Sequence, residues 1–222
     1  MPSVQPAPDG AAPTRAYRSE LREAQARRTR ERILESAAIA FSATGYQATT
    51  LAAIAREAGV STETVKSAGS KSDLLIRSFE VQFAGVEGAE SLTETDAGRG
   101  VLDLPTELLI DAVVAAVADA NARGSRLWTV LLGAALSDPL VDEALRRMLA
   151  SRRADFIGLA GLLVERGVAD PGLDVERAAA ELSFLMSPES YEQLVRQSGW
   201  SDDDYRRWMA GAIARAIGTS PS

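Results

Sequence analysis

The sequence contains no cysteine and no histidine. The first absence excludes disulfides, thiolate metal sites and a cysteine nucleophile. The second removes the commonest general base and the commonest metal ligand. Ser–His catalysis is therefore excluded, and a zinc site would have to be built from carboxylates alone. Long apolar runs are also missing. The longest, Leu127 to Leu136, is stopped by Ser137-Asp138-Pro139, well short of the roughly 18 residues a membrane helix needs. The N-terminus carries proline and glycine without a charged-then-apolar signal pattern. These absences predict a protein that is not an enzyme, uses no cofactor or metal, has no membrane partner and resides in the cytoplasm.

Lysine is nearly absent as well. There are two, Lys66 and Lys71, against 22 arginines, and both fall in one short stretch. The formal net charge is −7, but it is unevenly divided. Residues 1–76 hold 10 Arg and Lys against 8 Asp and Glu, whereas residues 77–222 hold 14 against 23. Seven arginines (Arg15, Arg18, Arg22, Arg27, Arg28, Arg30 and Arg32) crowd into residues 15–32. Positive charge is concentrated where a phosphate backbone can use it, although a solvated helical face gives the same pattern.

Pro2, Pro6, Pro8 and Pro13 predict a disordered N-terminal tail, drawn here to residue 18. A helical pattern follows from Ser19, with Ile33, Leu34, Ala37, Ala38 and Phe41 forming one apolar stripe that Gly45 ends. Thr50 caps a short helix over 51–58, Gly59-Val60 turns, and Ser61 caps a third helix from Thr62. A further helix begins near Lys71. Residues 91–103, with Gly98 and Gly100 and no apolar periodicity, are expected to be a mobile connection. Helices are expected over Leu104–Ala120 and Arg126–Leu136, then from Asp138-Pro139 to Arg166 with Gly167 as the stop. Asp174, Ser187-Pro188 and Ser201 open the last ones. The fold class is all-α, with an N-terminal three-helix domain at 19–70 and a helical bundle at 71–222.

Thr50 to Leu75 is the informative stretch. Two short helices around a glycine turn make either a helix-turn-helix or a plain helical hairpin in an all-α core. In the first case Ala52, Ala53, Ala55 and Ala58 keep the leading helix slim. The second helix can then present Thr62, Glu63, Lys66 and Ser67 to a major groove. Glu63 can accept from a cytosine amino group or simply complement its helix dipole. Arg15 and Arg18 suit a minor-groove arm or general phosphate attraction.

The residues around this motif go further. Arg30-Glu-Arg-Ile-Leu-Glu-Ser-Ala-Ala38, Phe41, Gly45-Tyr46, Thr49-Thr50, Ile54-Ala55, Ala58-Gly59-Val60-Ser61, Thr64-Val65 and Gly69-Ser70-Lys71 closely resemble the N-terminal domain of TetR-family regulators. The match covers about residues 28–80. The resemblance implies a transcription regulator, a repressor released by a small-molecule effector, that binds palindromic double-stranded operator DNA as a homodimer. It also places Thr50, Thr62, Thr64 and Lys71 at positions that contact phosphates or bases. The sequence departs from the family pattern between Thr64 and Lys71, where it is one residue short. Lys66 stands in the place of a tyrosine, and a phenylalanine before Gly69 is gone. That loss predicts a shorter or shifted end to the recognition helix.

In the remainder, Trp128, Phe156 and Phe184 lie on apolar helix faces, as core residues or as the lining of a ligand pocket. Arg126, near Trp128, is a candidate anion partner. Leu182, Leu185, Met186, Leu194 and Val195, with Tyr191, make an apolar face expected to form the dimer interface. The alternative reading is a helical ligand- or partner-binding protein with a degenerate DNA-reading head.

Overall fold

A computed structural model describes residues 15–218, with side chains from residue 21 onward. Among these residues there is no strand. The helices are α1 (Arg15–Ala48), α2 (Leu51–Ala58), α3 (Thr62–Ala68), α4 (Lys71–Ala84), α5 (Asp96–Leu102), α6 (Thr106–Ala135), α7 (Pro139–Glu165), α8 (Val175–Leu185), α9 (Pro188–Tyr191) and α10 (Asp202–Ala216). A π-helical segment, Glu192–Gln197, continues α9. The proline-rich stretch 1–14 lies outside the described residues, while residues 15–18 form the start of α1. Among the described residues no helix is long and apolar enough to cross a membrane.

The helix boundaries follow the capping residues. Thr50 accepts from the Ala53 amide at 3.1 Å, and Gly59 closes α2 in the left-handed region at φ 64°. Ser61 accepts from the Thr64 amide at 3.1 Å to open α3. Ser70 and Asp73 form a reciprocal capping box at the start of α4. Asp138 caps α7 with Pro139 in its first turn, and Ser201 opens an α10 whose first turn holds Asp202, Asp203 and Asp204. In α1 the glycine at 45 breaks the helix with φ 76°.

Two expectations are corrected. Residues 91–103 are not a bare connection, because Thr95 accepts from the Gly98 amide at 2.9 Å and starts α5. Gly98 masks the pattern because it is needed for close approach: a Cβ there would collide with the Leu92 carbonyl. The two helices expected over 104–136 are one, α6, of 30 residues. Gly124 looks like a break but is helical. It lets Phe83 of α4 pack against the α6 backbone, where a Cβ would stand 3.1 Å from Phe83 Cδ2.

The buried apolar residues form two cores. The upper core joins α1 through α4 to Leu127, Trp128, Leu131 and Ala134 of α6 and to Val141 through Met148 of α7. The lower core joins the first half of α6 and the second half of α7 to α8, α9 and α10. Asn121 braces the lower unit. Its buried side-chain amide donates to the Met186 and Ser187 carbonyls and to the Tyr205 hydroxyl, each at 3.2 Å.

Gly98→Ala is expected to destabilise the protein by about 1–3 kcal/mol through this overpacking. Gly100→Ala, in the same helix with open space at its Cβ, is expected to be neutral or to stabilise by up to about 1 kcal/mol. Urea unfolding of the two variants checks the pair.

Candidate functional site

The head presents a short and mostly exposed α3. Only Val65 of α3 is fully buried, and Ala68 packs partly against the same core. Glu63, Thr64, Lys66 and Ser67 are exposed and Thr62 is half-buried. Several of these groups are already engaged. Lys66 Nζ lies 3.4 Å from Glu63 Oε2, the Ser67 hydroxyl donates to the Glu63 carbonyl at 3.0 Å, and Thr64 meets Ser61 at 2.8 Å. Glu63 and Lys66 are 81% and 58% exposed, so their pairing is worth little and yields readily to a phosphate or a base. Lys71 sits at the head of α4, where its Nζ donates to the Gln47 carbonyl at 3.2 Å and lies 4.5 Å from the centre of the Tyr46 ring. Thr50 is exposed at the start of α2. Arg22, Arg27, Arg28 and Arg32 are exposed along α1. The Arg15 and Arg18 side chains lie outside the described residues.

The end of α3 is held from α1. Arg30 Nη1 donates to the Ala68 carbonyl at 2.9 Å, its Nε donates to Glu87 Oε2 at 2.7 Å, and its second amino group donates to Glu87 Oε1. Without an aromatic residue before Gly69, α3 is thus fixed by a guanidinium on its last carbonyl and by Val65 in the core. Arg30 also holds the Glu87 carboxyl below the usual carboxylate range. Buried Glu80 secures the same turn, accepting from Arg77 at 2.9 Å and from the Gly88 amide at 2.7 Å.

A few residues beyond Glu87 the chain becomes the wall of an apolar cavity of about 120 Å³. Glu90, Ser91, Leu92 and Thr93 line it together with Phe79, Phe83, Trp128, Met148, Arg152, Phe156 and Met186. The structure therefore brings two predicted pocket residues, Trp128 and Phe156, to one cavity. Phe184 is elsewhere: it is 74% exposed on α8. Leu182 and Met186 exchange places with it, being buried in the subunit's own core at 0% and 2% exposure, which removes both from a surface open to a partner. Leu185, Leu194 and Val195 remain half-buried.

Arg126 does not face the cavity either; it lies 3.6 Å from Glu192. Positions two apart on a helix do not share a face, so the spacing from Trp128 argues against it. The cavity's arginine is Arg152. Its signal in the sequence is a cation standing four residues from both Met148 and Phe156, inside an apolar stripe.

Head and body are also joined by Asp138. It accepts from the Tyr46 hydroxyl at 2.5 Å and from the Ser72 hydroxyl at 2.7 Å while capping α7. These hydroxyl bonds, that from Tyr46 foremost, hold its carboxyl below the usual range.

Residues 33–77 match the family described as bacterial regulatory proteins, tetR family. The fold is shared with solved structures. One is a protein from Rhodococcus sp. assigned to the TetR-family transcriptional regulators, with TM-score 0.64, 18% identity, and coverage of 86% of this chain and 98% of that one. Another is the transcriptional regulator FadR from Bacillus subtilis in complex with stearoyl-CoA, with TM-score 0.63, 15% identity, and coverage of 86% and 99%. A third is NalD, the secondary repressor of the MexAB-OprM multidrug efflux pump in Pseudomonas aeruginosa, with TM-score 0.62, 23% identity, and coverage of 86% and 98%. No curated protein sequence matches the chain. The chain thus carries a helix-turn-helix, DNA-binding head on an all-helical body. The head matches the bacterial regulatory proteins of the tetR family, and the fold is one shared with a TetR-family transcriptional regulator.

Asp138→Asn is expected to cost about 1–3 kcal/mol near neutral pH, because charged acceptor bonds are lost. A depressed folded-state pKa contributes stability that is complete above the unfolded value, about 4, and is lost as pH falls through the folded value. The difference between wild type and variant in urea unfolding should therefore shrink as pH is lowered from about 7 to about 3.

Proposed function

We propose that the protein is a repressor that reads palindromic operator DNA as a homodimer and is released by a small molecule held in the cavity. One observation carries this reading. The chain segment lining the cavity begins at Glu90, a few residues beyond the Glu87 carboxylate that holds Arg30, and Arg30 holds the last carbonyl of α3. A ligand that moves residues 90–93 acts, through Glu87, on the helix that faces DNA. NalD is a repressor and the FadR structure contains stearoyl-CoA, which supports both halves of the proposal. Residues 19–70 are assigned to DNA reading and residues 71–222 to ligand binding and dimerisation.

Thr50, Thr62, Thr64, Lys66, Ser67 and Lys71 are the proposed DNA contacts, with Glu63 beside them. The exposed Phe184 of α8, with half-buried Leu185, Leu194 and Val195, is the proposed apolar contact between subunits. A second reading, a ligand-binding protein whose head no longer reads DNA specifically, is favoured by the seven-residue α3 in which Glu63 and Lys66 pair with each other.

Purified protein should retard a palindromic fragment taken from beside its own gene, with affinity falling steeply as salt rises. Lys71→Ala should weaken binding to all sequences about equally and reduce the salt slope by about 1. Affinity that never exceeds that for random DNA supports the second reading, and no retardation on any DNA at low salt sinks both the repressor and the DNA contacts. For the dimer, Phe184→Asp should shift the sedimenting species from two subunits to one.

A further inference from the structure

We infer that the cavity is built for an apolar carboxylic acid whose carboxylate is received by Arg152. The inference rests on the cavity being the effector site, as proposed above. Most of the lining is hydrocarbon, contributed by Phe79, Phe83, Trp128 and Phe156 among others. The polar groups on it are unequally satisfied. Glu90 pairs with Arg147 at 2.8 Å, and Asp155 accepts from the Thr93 hydroxyl at 2.5 Å. Both carboxylates at the wall therefore have a donor already.

The donors are left short. Arg152 gives one amino group to the Ser183 carbonyl and lies 5.6 Å from the centre of the Phe156 ring. Among the described residues no carboxylate forms an ion pair with it. Burial pushes its pKa down, against the smaller opposing pull of the Glu189 charge. Trp128, 3% exposed, has an indole N–H that is buried with no acceptor. A buried donor without a partner costs free energy, and Trp128 lines the same apolar space as Arg152. The planar fork of N–H groups matches the two oxygens of a carboxylate, whose single negative charge balances that of Arg152. The lining thus asks for one negative acceptor on an otherwise apolar body. Neutral hydrocarbons leave Arg152 unpaired, and amines add a second cation.

The test uses the full-length wild-type protein and paired probes: hexanoate with hexanol, decanoate with decanol, and phenylacetate with 2-phenylethanol, titrated by calorimetry near neutral pH, with decylamine as the cationic control. In at least one pair the acid should bind at least about tenfold more tightly than its alcohol, as a charge-assisted pair requires, and decylamine should bind more weakly than either ten-carbon partner. Arg152→Gln should reduce the acid-to-alcohol ratio to about one while leaving the alcohol's affinity within about threefold. Equal binding of acid and alcohol to the wild type in every pair overturns the carboxylate assignment and leaves the cavity as a site for neutral ligands. An Arg152→Gln protein that keeps the acid preference overturns the role of Arg152. No binding by any probe overturns the cavity as an effector site for ligands of this size, and this inference with it.

Discussion

The guanidinium of Arg30 is where three separate pieces of chain meet, and the geometry of the head depends on it. Through one edge it grips both oxygens of Glu87, and through another it holds the carbonyl of Ala68 at the end of α3. An arginine suits this position because its planar fork serves two acceptors at once without a change of rotamer. A lysine there would reach one acceptor at a time. The consequence is positional. The exposed face of α3 is set relative to α1 and to the turn after α4, even though the helix fully buries only Val65. Buried Glu80 then fixes that turn through Arg77 and the Gly88 amide.

A second junction, at Asp138, ties the head to the body from the other side. The same carboxylate caps α7 and receives hydroxyls from α1 and α4. Head and upper body consequently share one core, in which Phe41, Ile54 and Val65 pack in the same cluster as Leu131 and Val141. The proposed functional division after residue 70 and the division between cores are therefore different lines through the molecule.

Much of this was legible in the sequence because it is local. Caps at Thr50, Ser61, Asp138 and Ser201 announce themselves by residue type, and the stripe from Ile33 to Phe41 by its spacing. What sequence reading misplaced depends on distant partners. Gly98 reads as part of a bare connection, and the helix through residue 124 as two helices, because the close approaches of Leu92 and Phe83 are set by chain that is remote or turned back on itself. Phe184 and Leu182 are two residues apart on one helix and equally apolar, yet one is exposed and the other fully buried. Only the placement of α8 against α7 and α10 decides which. Arg152 was hidden for the opposite reason, since a cation in an apolar stripe reads as an exception until the cavity beside it is seen.

The division between the two cores crosses α6 around Asn121 to Ser125 and α7 around Arg152, and the cavity lies on that seam, lined by Phe79 and Met148 from above and by Val113 and Leu159 from below. Gly124 stands at the same level of α6. A glycine inside a helix is its most compliant residue, with no side chain to brace the backbone and the greatest backbone freedom. Mechanically, α6 is a beam that spans both cores, and Gly124, where Phe83 seats against the helix backbone, stands at their joint. The cavity is thereby placed where the contacts of one core give way to those of the other, and the core above it includes α2 and α3.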